Sequence, residues 1–121
     1  MIGIDIIEID RIKKLVEKND RFLNKVFTEN EIKYFSEKGY KAQTIAGNFC
    51  AKEAISKAFG TGIRNFSFKD IEILRDELGK PVVNTYNNLK KICIDYNVLE
   101  INVSISHSRD YAVANAFIKK V

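Results

Sequence analysis

A chain of 121 residues, 45% hydrophobic and 30% charged, has the length and balance of one domain, 1–121, able to build its own core. It carries no low-complexity tract, no internal repeat and no run near the ~20 apolar residues of a membrane span, so no membrane contact is expected. A net charge of +4 and a pI near 9.0 call for an acidic partner: nucleic acid, a phosphate-rich cofactor or an acidic protein.

The opening "MIGIDIIEID" is apolar but has acids and no basic leader, so it does not read as a signal peptide. Within it "IGIDI" alternates, with Ile2, Ile4 and Ile6 on one face and Gly3, Asp5 and Ile7 on the other. That spacing predicts a strand with an acid at its C-terminal end. "EIDRIKKLVEKN" switches to helical spacing, with Ile9, Ile12, Leu15 and Val16 as the apolar stripe. Arg11, Lys14 and Lys18 fall on one outer face of that helix. In "FTENEI", Thr28 and Glu31 have capping-box spacing, and Phe27 and Ile32 are placed as a staple. The helix they start runs toward Gly39.

Residues 44–59 form the next predicted helix, with Gly60 as its stop, and "GTGI" follows as a turn with exposed backbone N–H groups. "FSFKDIEIL" reads as a strand, "RDELGKP" as a polar turn and "NTYNNLKKICIDYN" as a helix. "LEINVSIS" alternates, with Leu99, Ile101, Val103 and Ile105 pointing one way. "SHSRD" interrupts before a last strand, "YAVANAFI". That strand is apolar on nearly both faces, so both need cover. A chain this small has few helices to cover both, which points to a second subunit. Cys50 and Cys93 are far apart in helical patterns with no C-x-x-C pair. Two reduced, buried thiols in a cytoplasmic protein are expected.

The helix over 45–59 is apolar almost all the way round, which predicts enclosure. Glu53 lies over Phe49 and Cys50, and its only same-face polar neighbour is Lys57. An enclosed carboxylate must be paired, protonated or bound to a metal. An i,i+4 pair with Lys57 is one explanation and a functional acid the other. Asp5 is a second ill-placed acid, since aspartate is disfavoured in strands; a solvated strand end or a helix cap would also account for it. If strand and helix meet, Asp5 and Glu53 form a site for a hard cation such as magnesium, which takes the rest of its shell from water and phosphates.

At these residues the chain resembles a known family. "GIDIIEIDRI", "FTENE", "AGNFCAKEAISKAFGTGI", "FSFKDIEIL", "GKP" and "VSISHSRDYAVA" occur in the order and spacing of bacterial holo-acyl-carrier-protein synthases, the short-chain 4′-phosphopantetheinyl transferases. The resemblance covers 1–118. It implies an α+β, 4′-phosphopantetheinyl transferase-like fold: a small, mostly antiparallel sheet packed with helices. The implied activity transfers the 4′-phosphopantetheine arm of coenzyme A to a serine of acyl carrier protein, releasing adenosine 3′,5′-bisphosphate, in fatty acid biosynthesis. Magnesium, held by the residues matching Asp5 and Glu53, is the implied cofactor. A homotrimer with active sites between subunits is the implied assembly.

The same resemblance implies further roles. Lys57 contacts the phosphates, unless it only pairs with Glu53. Gly60, Thr61 and Gly62 let backbone approach the nucleotide, with Gly60 also a plain helix stop. His107, the only histidine, sits in "SISHS", which resembles the family's nucleotide-contacting motif; it is assigned to coenzyme A binding, not base chemistry. Arg11 matches a carrier-contacting arginine, so the face of Arg11, Lys14 and Lys18 becomes a docking surface for acidic carrier protein, or else a merely solvated one. Two departures stand out: many members have glycine where this chain has Met1, and arginine where it has Asn48. Lys41 or Lys57 then takes over any phosphate contact of that arginine. Competing classes are a magnesium-dependent nucleotide phosphohydrolase, a non-catalytic structural trimer and a basic nucleic-acid-binding module. The last wants exposed aromatics, whereas most phenylalanines here have core spacing, so no nucleic acid is expected.

Overall fold

The structure, a computed structural model, describes residues 1–60 and 65–121. Strand β1 (Ile2–Glu8) pairs antiparallel with β5 (Tyr111–Lys120), and β5 pairs antiparallel with β4 (Val98–His107), giving the order β1-β5-β4. Four helices lie between β1 and a second sheet: α1 (Ile9–Lys18), α2 (Phe22–Val26), α3 (Glu29–Glu37) and α4 (Ala42–Ala58). The second sheet is a hairpin of β2 (Ile71–Arg75) and β3 (Pro81–Thr85), and α5 (Asn87–Asp95) leads from it into β4. The architecture is α+β with a small antiparallel sheet packed with helices, as expected.

The long helix α4 crosses the inner face of the three-stranded sheet. Ala112, Ala114 and Ala116, all buried, keep the middle of that face flat. Glycines allow close approach at either end, backbone to backbone at Gly3 and backbone to side chain at Gly47. A Cβ on Gly3 would stand 2.0 Å from the Ala54 carbonyl oxygen, and one on Gly47 would stand 3.0 Å from Ile105 Cγ2. The C-terminal half of α4 is thereby seated on β1 and its N-terminal half on β4. Pairing aligns Asp5 with Ala114 and Ile105, and Ile7 with Ala112 and His107, along that inner face. The outer face carries Ile2, Ile4 and Ile6 at 67%, 59% and 63% exposure, beside Val113 and Phe117. The last strand is thus apolar on both faces but covered on one.

The capping box forms: Thr28 Oγ1 accepts from the Glu31 N–H at 3.2 Å, and Glu31 Oε1 accepts from the Thr28 N–H at 3.0 Å. Gly39 and Gly60 both take left-handed backbone at the ends of α3 and α4. Four expectations are corrected. Asp5 is mid-strand, because pairing continues to Glu8 opposite Tyr111. The strand expected over 66–74 begins only at Ile71; Phe68–Asp70 is a 3-10 turn closed by mutual capping of Ser67 and Asp70. Strand β3 was not anticipated, and α5 starts at Asn87 rather than 84, since Asn84 and Tyr86 are drawn to Glu72 across the hairpin. Leu99 turns outward, because a bulge between Val98 and Glu100 breaks the alternation before Ile101.

The deepest charge on α4 is also not the one expected. Lys52 is fully buried, whereas Glu53 is only half-buried. The three N–H groups of the Lys52 ammonium are shared among four oxygens, Glu31 Oε1 at 2.6 Å and the carbonyls of Val26, Phe68 and Ile71 at 2.9, 2.9 and 2.7 Å. Burial pushes Lys52 down and Glu31 up, each opposed by the other's charge. The surrounding oxygens compensate a charge that would otherwise be prohibitive inside the protein.

Candidate active site

Strand β1 and helix α4 bring three of the expected residues together. The Asp5 carboxylate touches α4 at two points: Lys57 Nζ donates to Oδ1 at 2.9 Å, and Cys50 Sγ donates to Oδ2 at 3.4 Å. Cys50, Glu53 and Lys57 follow at i, i+3 and i+7, which is one stripe of a helix. Glu53 lies between the two points where Asp5 meets that stripe, so the carboxylates are neighbours. Burial raises the Glu53 pKa, and the Asp5 charge raises it further against the pull of Lys57 and Arg11. The hydrogen bond from Lys57 to Asp5, and the carboxylate's charge, push Lys57 up. Burial, then Asp5, pushes the Cys50 thiol up to about 12, which keeps it protonated and inert.

Among the described residues the ion pair of Lys57 is with Asp5 and none joins it to Glu53, so a simple i,i+4 pair does not account for the acid. The lysine side chain remains 55% exposed while that of Asp5 is 15% exposed, so the ammonium sits at the mouth of the site. Two hard oxygen donors in mutual repulsion, with a cation already on one of them, fit a divalent ion. Among the described residues no group of three or more His, Cys, Asp or Glu is placed to hold a metal ion, and the Cys50 thiol beside Asp5 stays protonated. That donor set suits magnesium, which uses one or two carboxylates and fills its shell with water and phosphate oxygens.

His107 lies elsewhere in the chain. It ends β4 and lines a surface pocket with Tyr34, Gln43, Thr44, Arg75 and Pro81. Gln43 and Thr44 are in the first turn of α4, and Glu53 is about 15 Å further along the axis. A single chain therefore keeps His107 apart from Asp5, Glu53 and Lys57. Lys41 flanks α4 at the His107 end and is exposed. Gly60 follows α4 with φ +77°, near the Lys57 end. Thr61 and Gly62 lie outside the described residues. Arg11, Lys14 and Lys18 line a groove on α1 with Glu8, Asp10 and Leu15. Lys14 there is paired with Asp10 at 2.9 Å, and Arg11 is near enough to act on Glu53.

Asn48, which the resemblance marks as a departure from arginine, is fully buried and cannot meet a phosphate. Its Oδ1 instead accepts from Arg75 Nη2 at 2.9 Å. Arg75 and Tyr34 were not among the expected site residues. Arg75 read as part of a polar turn, with no signal in the sequence to single it out.

Residues 1–116 match the 4′-phosphopantetheinyl transferase superfamily. The holo-[acyl-carrier-protein] synthase of Alkaliphilus oremlandii (strain OhILAs) is 54% identical over 115 residues, 95% of this chain and 94% of the relative. That of Clostridium botulinum (strain Alaska E43 / Type E3) is 52% identical over 122 residues, 99% of this chain and 97% of the relative. The crystal structure of Helicobacter pylori holo-[acyl-carrier-protein] synthase in complex with coenzyme A matches with a TM-score of 0.88 at 35% identity, covering 98% of this chain and 100% of that one.

Proposed function

The chain belongs to the holo-[acyl-carrier-protein] synthases of the 4′-phosphopantetheinyl transferase superfamily, and from that premise we propose that it transfers the phosphopantetheine arm of coenzyme A to a serine of an apo-acyl carrier protein. The serine hydroxyl releases its proton to water as its oxygen bonds to the phosphorus next to pantetheine. The bond from that phosphorus to the adenosine side of the diphosphate breaks, and adenosine 3′,5′-bisphosphate leaves. The observation that carries this reading is the meeting of Asp5 and Glu53 beside Lys57. Coenzyme A bound to the Helicobacter pylori relative supports the co-substrate.

Asp5 and Glu53 would hold magnesium, which when bound neutralises the diphosphate and the developing charge on the leaving bisphosphate. Lys57, half-exposed at the mouth, supplies a second positive charge to the same phosphates. Gly60 lets the nucleotide approach the backbone, while Lys41 and His107 contact coenzyme A at the other end of α4. Arg11, Lys14 and Lys18 form a cationic landing face for an acidic carrier protein, its attraction weakened by salt. We assign the uncovered outer sheet face to contact between copies in a homotrimer. The separation of His107 from Asp5 within one chain supports a site completed by a neighbour. A cytoplasmic place in fatty acid biosynthesis accords with this chemistry, and among the described residues no helix is long and apolar enough to cross a membrane.

The test is the mass of apo-acyl carrier protein after incubation with the protein, coenzyme A and magnesium. A gain of one phosphopantetheine, abolished by EDTA, is expected. Consumption of coenzyme A without any carrier would favour the hydrolase reading instead.

A further inference from the structure

Helix α4 holds the Asp5 carboxylate from two directions. Lys57 Nζ reaches Oδ1 at 2.9 Å from the solvent side, where the lysine side chain is half-exposed. Cys50 Sγ reaches Oδ2 at 3.4 Å from within the protein, where the cysteine is fully buried. A carboxylate has no hydrogen to give, so the thiol is the donor in the second contact. Its alternative acceptor among the described residues, the Ala112 carbonyl on β5, lies further off at 3.7 Å. Among the described residues no other side chain donates to Asp5. The thiol thus sits underneath the acid, where α4 crosses β1 and β5.

The two contacts are not equivalent. Strand pairing fixes the Asp5 backbone opposite Ala114 but leaves the carboxylate free to turn about χ2, a broad torsion. The Lys57 ammonium stands at the mouth of the site and, in the proposed reaction, is shared with the incoming phosphates. Cys50 is enclosed in the middle of α4 and has no such second partner in solvent. Its hydrogen bond is the one that stays on Asp5 when substrate draws the lysine away. Carboxylates that ligate metals are themselves held by outer hydrogen bonds, which set their orientation. We propose that Cys50 is a positioning residue of the magnesium site, its thiol fixing the orientation in which Asp5 accepts the cation. This rests on the two-carboxylate metal reading above. The thiol is a donor here and not a ligand; it acts through Asp5.

The experiment titrates the full chain with manganese, a spin-active cation that favours the same carboxylate and water ligands as magnesium, and reads binding by electron paramagnetic resonance. The magnesium dependence of carrier modification is followed in parallel at saturating coenzyme A. Cys50→Ala should raise both the manganese Kd and the magnesium concentration for half-maximal rate roughly 10-fold, the low end for loss of an outer hydrogen bond. The rate at saturating magnesium should fall less than about threefold on the same scale. Cys50→Ser keeps a donor and should lose less than Cys50→Ala in both measurements. Unchanged metal affinity in Cys50→Ala, or a serine variant no better than the alanine one, would reduce the cysteine to packing and overturn the proposal. If Cys50→Ala does not fold, infrared spectroscopy decides. In a Cys93→Ser background the Cys50 S–H stretch should lie below that of a free thiol, remain there when magnesium and coenzyme A are added, and rise in Asp5→Ala. A stretch at the free-thiol frequency, one that returns there on loading, or one indifferent to Asp5→Ala overturns the proposal. A wild type that binds no manganese defeats the metal reading and the proposal with it, whereas wild-type affinity kept by Cys50→Ala defeats the proposal alone.

Discussion

Glu53 is held at a cost to the fold. Its pKa stands above the ordinary 4.5 because burial and Asp5 both oppose ionisation. The folded chain therefore holds that proton more tightly than the unfolded chain does, and stability falls as pH rises from about 4.5 through the raised value. Glu53→Gln should then melt higher than wild type at pH 8 without metal, with the gap closing near pH 4, while activity drops by on the order of 10²-fold or more. Calorimetry at the two pH values checks it; a variant less stable at pH 8 would mean that the acid supports the fold. At this scale much of the site was legible, because an acid in a strand and an acid in an apolar helix are each anomalous alone. Lys52 was not: a lysine flanking such an acid looks like ordinary solvated charge. Only the tertiary structure shows three carbonyls and Glu31 arranged around it.

Between elements, the site depends on how closely β1 approaches α4. Gly3→Ala places a methyl group against the backbone of Ala54 and Ala58, which cannot swing aside as a side chain could. The variant should lose about 1–3 kcal/mol of stability and most of its activity, as Asp5 is pushed off Lys57; urea unfolding and the carrier assay measure both. The Lys52–Glu31 pair fastens α4 to α3. Lys52→Met should cost about 3–5 kcal/mol by stranding a buried carboxylate. Adding Glu31→Gln should recover part of that loss, giving a double-mutant sum smaller than its parts. Full additivity would show that the two side chains do not interact. Helix ends were readable from Thr28, Gly39 and Gly60, where local chemistry decides. The hairpin strand Pro81–Thr85 and the bulge at Leu99 were not, since cross-strand partners create them.

For the whole molecule, the uncovered apolar face of β1 and β5 is the feature a lone chain leaves unexplained. The pattern of "YAVANAFI" already implied two apolar faces; what no periodicity reveals is which face α4 takes. Ile4→Glu places a charge in the middle of the outer face. It should convert the proposed trimer to monomers by light scattering and remove activity, with the Asp5–Lys57 contact intact inside each chain. Trimers that survive the charge would move the interface elsewhere. In the proposed function two carboxylates and a lysine serve one transfer reaction. The most direct measurement is the mass of a cognate apo-acyl carrier protein after reaction with coenzyme A and magnesium, run in parallel with wild type and Glu53→Gln. One added phosphopantetheine with the wild type and none with the folded variant is the predicted result. Equal modification by both, or by neither, would contradict it.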